Sequence, residues 1–163
     1  MEIPVDIPRQ AALFGSPRSV LGIHGRLMKF LLYISPALFV LSCCMPCLEI
    51  KESSGKTDIM LGLRALAVGW SGIFAGITAW YANPVWLLCV ALGFYEKPLP
   101  GIFGGAMAVA IGWTTRSVIG RVLPADEGNV NKMTVVRVLP GFYVWIASLC
   151  ALTVVSLMQR FSR

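Results

Sequence analysis

Leu61 to Tyr81 reads LGLRALAVGWSGIFAGITAWY, and the spacing of its small residues decides how the chain is read. Gly62, Ala65, Gly69, Gly72, Gly76 and Ala79 follow one another at steps of 3, 4, 3, 4 and 3. On a helix those steps place all six on one face. Leu, Val, Ile, Phe and Trp fill the other faces. A helix in water packs large side chains along its buried stripe, whereas this one would present backbone. Close backbone approach is how helices associate where lipid is the solvent. The spacing therefore predicts a membrane-spanning helix over 59–81.

Composition points the same way. Of 163 residues, 56% are hydrophobic and 13% charged, with mean hydropathy +0.73. Ordinary soluble chains carry roughly 25% charged residues. No stretch between apolar segments is long enough for a soluble catalytic domain. The net charge of +6 is read as orientation charge in the loops of a membrane protein. Nucleic acid is excluded as a partner, because no basic stripe with interleaved aromatics occurs.

The expected fold is all-α: a polytopic membrane helix bundle with about four to five transmembrane segments. A cytoplasmic arm, 1–26, precedes a single transmembrane domain, 27–159. The first span covers 27–48, with Pro36 kinking it at mid-length. Residues 49–58 form an outer loop, and the small-residue helix returns the chain to Trp80 and Tyr81, read as interfacial anchors. Asn83-Pro84 breaks the helix there. Val85–Tyr95 and Gly101–Trp113 are apolar but short. At ~1.5 Å per residue each falls well short of a ~30 Å hydrocarbon core. Over 85–114 they are either a pair of short spanning helices or a re-entrant pair, reversing at Glu96–Pro100. With that reversal, eight Lys and Arg lie inside and five outside, Arg64 apart. The arm and a loop at 115–139 are then cytoplasmic, and 49–58 and the carboxyl terminus lie outside. In that loop Arg121-Val122-Leu123-Pro124 recurs as Arg137-Val138-Leu139-Pro140. The echo is read as chance, with a small β-hairpin as the other reading. The last span is 142–158.

Gly101, Gly105, Ala108 and Gly112 make a second small-residue seam, at steps of 4, 3 and 4. The simplest expectation is that the two seams pack on each other; a face for a partner helix is the alternative. Cys44-Met45-Pro46-Cys47 has the form of a thioredoxin-type motif. It sits at the C-terminal end of a span, where the helix dipole opposes a thiolate. Cys89 and Cys150 lie in apolar runs and supply no second pair for a relay. Cys43, after an apolar run from Met28, mimics a lipoprotein signal, a reading set aside because further spans follow. Asp58 and Arg64 are placed to form an intramembrane charge pair. His24 has no metal-ligand cluster near it, and Glu96 beside Lys97 is read as a turn residue. No catalytic residue, metal or cofactor is expected.

The segment Gly69, Trp70, Gly76 and Ala79-Trp80-Tyr81-Ala82-Asn83-Pro84 resembles a "GW…AWYANP" pattern of small, uncharacterised bacterial multi-pass membrane proteins. The resemblance covers about Leu38 to Thr115. It implies a bacterial inner-membrane location and supplies no activity. The function expected is non-catalytic: binding another membrane-embedded protein, or a second copy of the chain, in the lipid bilayer. An accessory subunit and an immunity protein against a membrane-targeting toxin are both of this kind. A small transporter or channel subunit, lined by the interrupted 85–113 segment, is the alternative from another class. Thiol redox through Cys44 and Cys47 is the third.

Overall fold

Prolines punctuate this chain, and each main helix begins around one. The computed structural model describes residues 30–95, 97–124 and 132–161. Helix α1 is Ile34–Cys44, with Pro36 in its first turn. Farther on, α3 is Ala82–Phe94 with Pro84 in its first turn, and α4 is Pro98–Trp113 with Pro98 and Pro100. The last helix, α5, is Pro140–Phe161. In a first turn the missing proline N–H has no intrahelical partner to lose, so the ring is tolerated there. Phe30–Leu32 are helical as well, and the run is interrupted at Tyr33, three residues before Pro36, so the irregularity expected at Pro36 falls in the turn that precedes it.

Between these helices the chain forms strands. β1 is Pro46–Glu52, β2 Thr57–Leu61, β3 Val122–Pro124 and β4 Lys132–Val138. They make one antiparallel sheet in the order β2-β1-β4-β3. One face buries Cys47, Ile50, Met60, Leu123 and Val135, together with Val118. The second core lies among the helices: α1 and α4 pack on α5, and α3 packs on α4. Its centre holds Leu32, Trp86, Ala108, Leu149 and Leu152.

This mixed α/β architecture overturns the all-α polytopic bundle. The predicted helix over 59–81 does not exist as one element. Its first residues are β2; a short helix α2 follows, Gly62–Val68, then a 3-10 segment, Gly69–Ala75. Gly76 turns left-handed at φ 70°, and a 3-10 turn, Ala79–Tyr81, leads into α3. The reason is glycine, which costs a helix interior about 1 kcal/mol each relative to Ala. Tertiary contacts then fix the bend: the Trp80 indole N–H donates to Leu66 O at 2.7 Å. We call 69–77 the strap.

The predicted sidedness also fails. The expected outer loop 49–58 and cytoplasmic loop 115–139 both contribute strands to the one sheet, where β1 and β4 are neighbours. Ser53 N–H donates to Lys132 O at 2.9 Å, and Lys132 N–H donates to Ser53 Oγ at 3.0 Å. The two Arg-Val-Leu-Pro segments do not pair with each other: Val122–Pro124 pairs with Lys132–Thr134 of β4, and Arg137 and Val138 of the second pair with β1. β-branched residues such as Val135 suit a half-buried pleated surface, which a reading based on hydropathy passes over.

The multi-pass inner-membrane location is corrected by length. Among the described residues only α5, with 22 residues, is long and apolar enough to cross a membrane. Helices α3 and α4 have 13 and 16 residues and form a hairpin in the expected 85–114 region. The arm 1–26, His24, Glu96 and the 126–129 turn lie outside the described residues.

Candidate functional site

The two small-residue seams do not pack face to face along their lengths: the Ala79–Tyr81 turn packs on α4, while the rest of the first set lies against other parts of the chain. Gly101, Gly105, Ala108 and Gly112 lie buried along α4 and face α5. A Cβ on Gly101 would strike the Ser156 hydroxyl, and one on Gly105 would strike that of Thr153. At Gly112 the neighbours are Ile146, Trp145 and Leu149, with nearest atoms 3.1–3.2 Å from an added Cβ. This seam lets two helices approach within the chain, so it offers no free face to a partner.

The first set is dispersed over several elements. Gly62 starts α2 tight against the Ser42 carbonyl, and Ala65 packs towards the sheet core. Gly69 lies under the Trp80 ring, Gly72 faces Ile77, and Ala79 is buried. Gly76 has open space where a Cβ would go, so its left-handed φ is what calls for glycine.

Asp58 and Arg64 do pair, with Arg64 Nη1 2.8 Å from Asp58 Oδ2, but both side chains are well exposed. The Arg64 hydrogen bond, helped by the Ile59 N–H, holds the Asp58 carboxyl below its ordinary range. Cys44, the last residue of α1, is exposed, whereas Cys47 points into the sheet core. Burial pushes the Cys47 thiol up to about 11. That is the opposite of the depressed pKa a reactive thiol needs. All five cysteines are free.

A hydrogen-bond chain ties the helices together. The Trp86 indole donates to Ser35 Oγ at 2.8 Å, and Ser35 Oγ donates to Ser148 O at 2.8 Å. Trp145 Nε1 donates to Asn83 Oδ1 at 2.9 Å. These contacts align α1, α3 and α5 beneath the sheet.

Two features remain for binding. The first is the outer surface of the helical layer. Val40 and Leu41 on α1, Leu87 and Leu88 on α3, Phe103 and Met107 on α4, and Val154 and Leu157 on α5 are all exposed. No Asp, Glu, Lys or Arg occurs in α1, α3 or α4, and α5 has only Arg160. The second is a cavity of ≈ 680 Å³ between the sheet, the strap and the sheet-side ends of the helices. It is not expected from the sequence, because its walls come from strands that fall partly in the expected span ends, 46–48 and 59–61, and partly in the expected loops. The strand signal is the alternation of Leu48-Glu49-Ile50-Lys51, and the register shifts along β1 bring Cys47 into the core with Ile50. No protein-family model, curated protein or solved structure matches the chain.

Proposed function

We propose that this chain is a membrane-associated, non-catalytic protein that works by binding another membrane-embedded protein. The observation that carries the reading is the apolar exterior of the helical layer, whose helices α1, α3, α4 and α5 hold one charged residue, Arg160 near the end of α5. Soluble monomers rarely leave contiguous apolar patches beyond a few hundred Å² uncovered. Here large apolar side chains stand outward on four helices, with Phe103 72% exposed and Leu87 62%. Charge is concentrated elsewhere, on and around the sheet: Glu49, Lys51, Glu52, Lys56, Asp58, Lys132 and Arg137. Such a division suits a helical layer covered by lipid and by a partner's helices, and a sheet in water. At ~1.5 Å per residue α5 reaches about 33 Å, comparable to a hydrocarbon core. The non-catalytic part rests on the sequence, which carries no nucleophile–base pattern or metal-ligand spacing.

The test combines fractionation with mild-detergent copurification of the full chain. The chain is expected in the membrane fraction, with one other membrane protein recovered in stoichiometric amount. Phe103→Glu with Leu87→Glu should abolish that recovery. A wild-type chain found in the aqueous fraction, monodisperse without detergent, would remove the membrane part. Recovery from membranes with no stoichiometric companion would remove the partner.

A further inference from the structure

The cavity between sheet and strap has no role in the function proposed above. We propose that it binds the acyl chain of a single-tailed amphiphile, the chemistry shared by a long-chain fatty acid and a lyso-lipid. Its volume of ≈ 680 Å³ falls within the roughly 300–1,000 Å³ of small-molecule sites. Ile50 and Val135 form its sheet wall and Ile77 its strap wall.

Most polar side-chain groups on the inner wall are already committed, the Asn83 amide N–H donors apart. Asn83 accepts from Trp145, Ser42 Oγ donates to Phe39 O, and Thr115 Oγ1 donates to Gly112 O. A polar metabolite would lose its hydration there and gain few side-chain partners in return, which is costly. An acyl chain asks for none and gains from leaving water. The charged residues lining the cavity, Glu52, Arg64 and Lys132, are all exposed, so they stand at its rim and not in its depth. A polar head would remain among them, in water. Phe74, also bordering the cavity, is 86% exposed and adjoins the exposed Ile73 and Trp70. These exposed apolar side chains on the strap, with Phe74 at the cavity itself, give a tail a route in from a lipid phase.

Photo-crosslinking on the full chain in its membrane tests this. The probes are palmitate and lysophosphatidylglycerol, each with a diazirine in the tail. Label is expected on peptides containing Ile50, Ile77 and Val135, and unlabelled probe should compete it away. Ala75→Phe fills the cavity from the strap and should lower that label at least tenfold, leaving label on Leu87 and Phe103 peptides unchanged. Met133→Trp fills it from β4 and serves if Ala75→Phe fails to accumulate; competition in the wild type needs neither variant. Whichever probe labels the cavity better identifies the head group accepted. Label confined to the helix exterior, cavity label that no excess probe displaces, or cavity label unchanged by a folded cavity-filling variant would each overturn the assignment.

Discussion

Glu49 and Arg137 form an ion pair across β1 and β4, with Arg137 Nε 2.5 Å from Glu49 Oε2 and their Cα atoms in register. Such a pair adds little stability, since exposed pairs typically contribute ~0.2–1 kcal/mol. Its value is topological. The two residues lie 88 positions apart in sequence, and no arrangement with a membrane between them permits the contact.

The first prediction uses that proximity. Directly opposed strand residues have Cα atoms ~4.5–5.5 Å apart, inside the range a disulfide spans. Glu49→Cys with Arg137→Cys, in a background without the native cysteines, should crosslink intramolecularly under mild oxidation. Electrophoresis after proteolysis reads the product. A pair that stays reduced while both thiols remain labelable would show that β1 and β4 are not neighbours.

Glycine substitutions should separate two causes. At Gly105 the obstacle is contact with Thr153, so Gly105→Leu should destabilise by ~1–3 kcal/mol or more, as overpacking does. At Gly76 there is space but a left-handed backbone. Gly76→Asn should therefore be tolerated better than Gly76→Val, whose backbone strain is about 1–2 kcal/mol. Thermal unfolding of the three variants checks the order. Equal losses at Gly76 for Asn and Val would show that the strap is not held in this conformation.

The same contrast explains what the sequence disclosed. The 4, 3, 4 spacing of the Gly101 seam survives as a packed face because α4 has 16 residues and proline only at its start. The similar spacing over 62–79 did not survive. Periodicity reports which residues would share a face if a helix formed, and Gly69, Gly72 and Gly76 weaken that helix. The hairpin at 85–113 was legible from its apolar runs and the prolines between them. The sheet was hidden because β1 pairs with β4, more than eighty positions away, and short strands in an apolar chain look like span ends. Neither the cavity nor the Trp86–Ser35 bond is visible in one sequence, since both need elements brought together by the fold.

Two buried serines should respond in opposite ways. Ser35 Oγ accepts from Trp86 and donates to Ser148 O. Ser35→Ala should cost ~1–3 kcal/mol by stranding a buried indole N–H. Adding Trp86→Phe removes that donor and should recover part of the loss despite the smaller ring. Ser156 is fully buried and its Oγ has no hydrogen-bond partner among the described residues. Ser156→Ala should be neutral or stabilising, because it removes a desolvated hydroxyl. Denaturant midpoints give the comparison, and similar losses at both positions would contradict the assigned hydrogen bonds.

The last prediction concerns Cys47 and pH. Burial raises its thiol from the ordinary 9.0 to about 11. In the folded chain the thiol keeps its proton after the unfolded chain has begun to release it. Between about pH 9 and 11 the folded state therefore binds more protons, and stability falls as pH rises through that window. Below pH 9 the contribution is fully present. Lysines and tyrosines titrate nearby, so the readout is the difference between wild type and Cys47→Val, measured as unfolding midpoint against pH. The variant should lose less stability than wild type from pH 8.5 to 10.5. Alkylation gives an independent check, because reaction needs the thiolate. At pH 8 exposed Cys44 should react with iodoacetamide in the native chain, and Cys47 only after denaturation. Native labelling of Cys47 as fast as Cys44, together with parallel pH profiles, would mean that the thiol does not sit in the sheet core.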